Sequence, residues 1–133
     1  MNKHPCIETA KRLKEVGWGK ETEYCYGVEV IATGKLTDLV LSRNGFNKSE
    51  AEYQKRRYSV DILPAPDIAE LLEELPWHVP CTDNQFGDLV IEFSDIPNHE
   101  IAYPYYNNGS YSAKHPKLVE ALASLWVKLQ EKK

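Results

Sequence analysis

The sequence predicts an α+β fold: an antiparallel sheet of four to five strands with about three helices packed on its faces, a single-domain layered sandwich. Three observations carry this expectation. Segments with helical apolar spacing open, divide and close the chain. Between them lie groups of segments with period-two alternation. Short turns join neighbours within each group, which implies antiparallel pairing because a parallel crossover needs a dozen or more residues. At 133 residues the chain is of single-domain size, and no repeat, low-complexity tract or linker divides it, so one domain is expected over 1–133.

The first element is a helix over about Pro5–Val16, with Cys6, Ala10 and Leu13 at helical spacing. Pro5 suits a first helical position, Gly17 supplies a left-handed stop, and Trp18 can fold back onto Leu13. Tyr24–Ile31 then reads as a strand, since Tyr24, Tyr26, Val28 and Val30 share one face. Thr33-Gly34-Lys35 forms a turn, and Leu36–Leu41 is a second strand. From Ser42 to Arg57 the apolar pattern vanishes, which predicts a long exposed loop over about 42–57 holding at most one helical turn. Tyr58–Leu63 is a short extended segment before Pro64-Ala65-Pro66.

Asp67-Ile68-Ala69-Glu70 is the clearest local signal in the chain, a capping box that opens a helix. Ile68, Leu71, Leu72 and Leu75 form its buried stripe, and Pro76 ends it. Strands are then expected at His78–Thr82, Leu89–Phe93 and Glu100–Tyr106. Asn107-Asn108-Gly109 has turn chemistry, and Tyr111 begins the return. The final helix opens at Pro116, with Leu118, Leu122, Leu125 and Leu129 on one face and Trp126 beside them.

Composition narrows the classes of function. Hydrophobic residues make up 42% and charged residues 27%, ordinary globular values that argue against a disordered or fibrous chain. No apolar run approaches the roughly 20 residues of a spanning helix, so no membrane association is expected. Met1-Asn2-Lys3-His4-Pro5 leads into a charged segment and not an apolar one, which fits a cytoplasmic protein without a secretory signal. The three cysteines, Cys6, Cys25 and Cys81, form no close pair, so they read as free, buried thiols. The net charge of −4 disfavours nucleic acid as the main partner.

Three segments together carry a resemblance. They are Ile7-Glu8-Thr9-Ala10-Lys11-Arg12-Leu13-Lys14-Glu15-Val16-Gly17-Trp18, then Leu63-Pro64-Ala65-Pro66-Asp67-Ile68-Ala69-Glu70-Leu71-Leu72-Glu73-Glu74-Leu75-Pro76, and His115-Pro116-Lys117-Leu118-Val119-Glu120-Ala121-Leu122-Ala123-Ser124-Leu125-Trp126. Their succession resembles a group of small proteins from bacteriophages and prophage regions of gut bacteria. The resemblance implies an α+β sandwich and an accessory, non-structural gene product, with no activity or catalytic residue to carry over. Ser42–Arg57 is longer than the loop that the group would imply.

Few constellations point to chemistry. Gly17-Trp18-Gly19-Lys20-Glu21-Thr22 superficially resembles a phosphate-binding loop, but the glycine spacing is wrong and Glu21 would repel phosphate. His78, Cys81 and Asp83 are candidate metal ligands that His99 or His115 could complete. No second ligand pair is visible, so no metal and no cofactor are expected. No nucleophile motif occurs, and Glu70, Glu73 and Glu74 read as the solvated side of a capped helix. Enzymatic activity is therefore not the favoured reading.

Two surface features remain. Tyr103, Tyr105, Tyr106 and Tyr111 gather around one turn, and rings at a sheet edge suit a protein partner because tyrosine gives large contact area at low entropy cost. They could equally cover the sheet beneath the last helix. Lys55, Arg56 and Arg57, flanked by Tyr53 and Tyr58, combine charge and rings as single-strand binders do. Residues 1–66 carry a net +2 and residues 67–133 a net −6, so any basic surface belongs to the first half. The favoured expectation is a non-enzymatic accessory protein that binds another protein, such as a host factor. The alternative is a small nucleic-acid-binding module using Lys55, Arg56 and Arg57.

Overall fold

The structure of the chain is a computed structural model that describes residues 3–27, 39–82, 85–96, 99–107 and 111–131. They form an α+β protein with four helices and two antiparallel three-stranded sheets. The chain divides into two compact units, residues 6–66 and residues 1–5 with 67–133. No described helix is long and apolar enough to cross a membrane.

The unit over residues 6–66 opens with helix α1, Ile7–Glu15, which turns Ala10 and Leu13 into the core. Its end follows from the Gly17 signal. Gly17, at φ +102°, donates its N–H to Lys14, and Trp18 donates to Leu13, which together satisfy two orphan carbonyls of the last turn. Trp18 is buried beside that stop. Strand β1, Cys25–Gly27, is the centre of the first sheet, flanked by β2, Val40–Ser42, and by β3, Leu63–Pro64. Helix α1 packs against β3. Thr22 and Phe46 exchange backbone hydrogen bonds in both directions (3.1 and 2.9 Å), tying the approach to β1 to the segment after β2.

Helix α2, Lys48–Tyr58, overturns the expected loop over 42–57. A stripe-based reading misses it because only Ala51 is buried and the other positions are polar or exposed. Local interactions hold it instead. The Asn47 side chain accepts the Glu50 N–H at 2.7 Å, Gln54 donates to Glu50 one turn back at 2.9 Å, and Lys55, Arg56 and Arg57 lie at the negative helix end. Ser59 closes the helix in the left-handed region, at φ +56°.

In the other unit, helix α3, Ile68–Glu74, begins with the capping box expected from Asp67 and Glu70. Asp67 Oδ1 accepts the Glu70 N–H at 2.8 Å, and Glu70 Oε1 accepts the Asp67 N–H at 2.9 Å. Strands β4, His78–Thr82, β5, Gln85–Ile96, and β6, His99–Tyr106, form the second sheet in that order. Pro80 cannot donate to a ladder, and the β4–β5 register shifts between Pro80 and Thr82. Beyond β6, residues 112 and 115 form single bridges to Tyr105 and Ala102. Helix α4, Leu118–Glu131, packs on both β6 and α3. Its buried residues run almost all round the helix, from Val119 to Leu129, as for a helix covered on more than one side.

Several expectations change accordingly. Among the described residues the single sheet of four to five strands is replaced by two sheets of three, in the orders β2-β1-β3 and β4-β5-β6. Helix α3 packs on α4, so its apolar face is covered by a helix; Leu71 and Leu75 are buried, Ile68 and Leu72 only half so. Pro5 precedes the first helix, whose cap position is Cys6. The expected strands over 24–31 and 36–41 are seen as Cys25–Gly27 and Val40–Ser42, and the part of them expected at residues 28–38 lies outside the described residues.

Two substitutions test this packing. Leu125 is fully buried, so Leu125→Ala should cost about 2–5 kcal/mol in denaturant unfolding; a loss within error of zero would place α4 elsewhere. Gly45 sits at φ +75°, and a Cβ there would lie 3.0 Å from the Thr22 carbonyl oxygen that is bonded to Phe46. Gly45→Ala should therefore destabilise by about 1–2 kcal/mol. An unchanged midpoint would mean that the Thr22–Phe46 bridge does not hold the turn in place.

Candidate docking face on the second sheet

The β5–β6 register sorts side chains by parity. Leu89 pairs with Tyr106, Ile91 with Pro104 and Phe93 with Ala102, and these residues share the face to which the buried Tyr106, Pro104 and Ala102 belong. Val90 pairs with Tyr105 and Glu92 with Tyr103, so these four share the opposite face. Asp88 and Phe86 continue that face along β5, and His78 pairs with Asp88 across β4. This face is open to solvent: Phe86 is 52% exposed, Asp88, Glu92 and His78 are exposed, and Val90, Tyr103 and Tyr105 are half-buried; the opposite face is covered at Ala102, Pro104 and Tyr106 but leaves Phe93 59% exposed.

Rings and carboxylates alternate across this surface. His78 stacks on Phe86 with centroids 4.6 Å apart, and its Nδ1 lies 2.7 Å from Asp88 Oδ1. Tyr103 and Tyr105 stack at 4.9 Å, and the Tyr105 hydroxyl donates to Glu92 Oε1 at 2.9 Å. That hydrogen bond raises the Tyr105 phenol above its ordinary value of 10.0, because ionisation would set two negative charges side by side; desolvation and the charges of Glu92 and Tyr103 act in the same direction. Lys114 Nζ sits 4.9 Å over the Tyr103 ring, so a cation already occupies one ring face.

The four tyrosines expected to act together thus divide into pairs. Tyr103 and Tyr105 belong to the open face. Tyr106 is a core residue, 1% exposed, whose hydroxyl donates to the Pro76 carbonyl at 2.6 Å. Tyr111 meets Tyr106 edge-on at 6.4 Å and is half-buried. Sequence reasoning missed Phe86, Asp88, Glu92 and His78 as companions of these rings. The signal was the alternation along β5, hidden because the strand was expected to start at Leu89.

Lys55, Arg56 and Arg57 are all exposed in the last turn of α2. They are consecutive positions of α2, about 100° apart around the helix axis. Lys55 Nζ lies 3.8 Å from Asp61, whereas Arg57 lies over the Tyr58 ring at 5.8 Å. Their expected setting, a loop, is the corrected helix.

The candidate metal ligands do not converge where they are described. His78 is on the open face with Asp88, while His115 pairs with the buried Ala102 and its Nδ1 accepts the Lys117 N–H at 2.9 Å. The side chains of Cys81, Asp83 and His99 lie outside the description, and among the described residues no group of three ligands is assembled. The thiols also differ from one another. Cys25 is buried, and desolvation raises its thiol above the ordinary value despite a contact with the Ser42 hydroxyl. Cys6 is exposed at the start of α1, contrary to the expected burial, because a cap position lies outside the packed stripe.

Comparison with known proteins finds no matching family model, no matching curated protein and no matching solved structure.

The Glu92–Tyr105 bond has a titration signature. Glu92→Gln removes the adjacent charge, so the Tyr105 phenol should ionise at lower pH, nearer its ordinary value. Ring-carbon NMR across the alkaline range reads this directly. An unmoved Tyr105 midpoint would mean that the bond is not formed.

Proposed function

We propose that this chain is a non-enzymatic protein that acts by binding another protein through the open face of the second sheet. What supports this reading is one observation: on the open face, the exposed ring of Phe86 and the half-buried, stacked rings of Tyr103 and Tyr105 interleave with the carboxylates of Asp88 and Glu92. Aromatic side chains supply contact area and the carboxylates supply polarity, the mixture that interface cores and their rims use. Residues 67–133 carry a net charge of −6, so the complementary partner is a segment rich in Arg or Lys that presents apolar groups between its charges. The same charge sign argues against nucleic acid on this face. A phage or prophage accessory role rests on the three-segment resemblance alone, and a host protein is the partner that such a role would select.

A displayed peptide library tests the reading. The parent protein should enrich basic peptides with interspersed apolar residues, and raised salt should weaken their binding. Asp88→Lys with Glu92→Lys should abolish enrichment while leaving the melting temperature close to that of the parent, because both carboxylates are exposed. Peptides without basic bias, or equal binding to the charge-reversed variant, would overturn the proposal.

A further inference from the structure

The unit over residues 6–66 holds an open cleft of ≈ 610 Å³, within the size range of small-molecule sites. Its rim is cationic. Lys11 and Lys14 stand three residues apart on α1 and therefore share a helix face, and Lys55 reaches in from α2. Its apolar lining comes from Leu39, Val60 and Leu63.

The charges at this rim do not balance. Asp61 Oδ1 lies 3.7 Å from Lys14 Nζ and 3.8 Å from Lys55 Nζ, so one carboxylate serves two ammonium groups. Glu15, also on the rim, is paired with Arg12 at 3.3 Å. Lys11 has no partner among the described residues. Among the described residues, three lysines stand against Asp61, with Glu15 committed to Arg12, which leaves an excess of two positive charges. Lys14 is also positioned, since its Nζ donates to the Ile62 carbonyl at 3.0 Å. Ser59 completes the rim with a hydroxyl-bearing residue at a left-handed backbone position that glycine would occupy with less strain.

We infer that this cleft binds a small organic phosphate monoester, its dianion held by Lys11, Lys14 and Lys55 and its apolar body lying on Leu39, Val60 and Leu63. A phosphate monoester carries about −1.5 to −2 charges near neutral pH, which matches the excess, and lysine serves phosphate as a point charge without a demanding geometry. A carboxylate or sulfate ester supplies one charge and leaves half the excess uncompensated. Asp61 is the internal competitor that the ligand's phosphate displaces from the two ammonium groups. The site lies in the other unit from the docking face and does not depend on it.

Phenyl phosphate is the probe, titrated into isotope-labelled full-length protein and followed by amide chemical shifts. Saturable shifts are expected at Lys11, Lys14, Lys55, Ser59 and Leu63, with a dissociation constant of about a millimolar or below. Phenyl sulfate should bind more weakly, and affinity for phenyl phosphate should fall as pH drops through about 6, where the ester takes up a proton. Lys14→Gln with Lys55→Gln should weaken binding about tenfold, since it removes two of the three cations that hold the dianion. Asp61→Asn should tighten it several-fold, a gain that misfolding cannot mimic. Absence of saturable shifts, equal affinity for phenyl sulfate, or indifference to the lysine and aspartate variants would overturn the assignment. Much tighter binding of a 5′-phosphorylated oligonucleotide than of phenyl phosphate would overturn the small-molecule class.

Discussion

Burial of helix α4 is the constraint on which the unit over 67–133 depends. Val119, Leu122, Leu125, Trp126 and Leu129 are among nine buried residues in its 14, all apolar but Glu120, so the helix is covered round most of its circumference. A helix of that kind cannot rest on a sheet alone. It takes α3 on one part of its surface and β6 on another, which commits Ala102, Pro104 and Tyr106 to the interior. Because strand side chains alternate strictly, that commitment sends Tyr103 and Tyr105 outward. A shift of one residue would bury the carboxylate of Glu92 and expose Tyr106, so the register has a steep energetic preference. The docking face follows from the core by parity.

The unit over 6–66 works differently, with short strands and local bonds in place of a large apolar helix. The left-handed stop at Gly17 and the cap at Asn47 fix where α1 ends and α2 begins. Those two boundaries bring lysines from separate helices to one cleft, a juxtaposition that no single segment encodes. Its excess charge is therefore a tertiary property.

What was legible in the sequence was what is local. The capping box at Asp67 and Glu70, the glycine stop of α1 and the leucine stripe of α4 each lie within a few residues, and each is present in the structure. Helix α2 was not legible as a helix because its stability comes from a cap and side-chain pairs, with Ala51 alone reaching the core. The division into two sheets was hidden for another reason. Strand partnering is decided by long-range packing, and alternation says nothing about which strand lies alongside. For the candidate site, the shared face of Tyr103 and Tyr105 could be read from spacing, but whether that face looked inward or outward required α4.

Solvent accessibility of individual tyrosines tests the parity argument most directly. Hydroxyl-radical labelling of the free protein, read by mass spectrometry, reports ring exposure residue by residue. Tyr103, Tyr105 and Phe86 should be oxidised readily, while Tyr106 and Trp126, 1% and 7% exposed, should be protected until the protein unfolds. Tyr106 labelled as fast as Tyr105 in the native state would contradict the register, and the docking face with it.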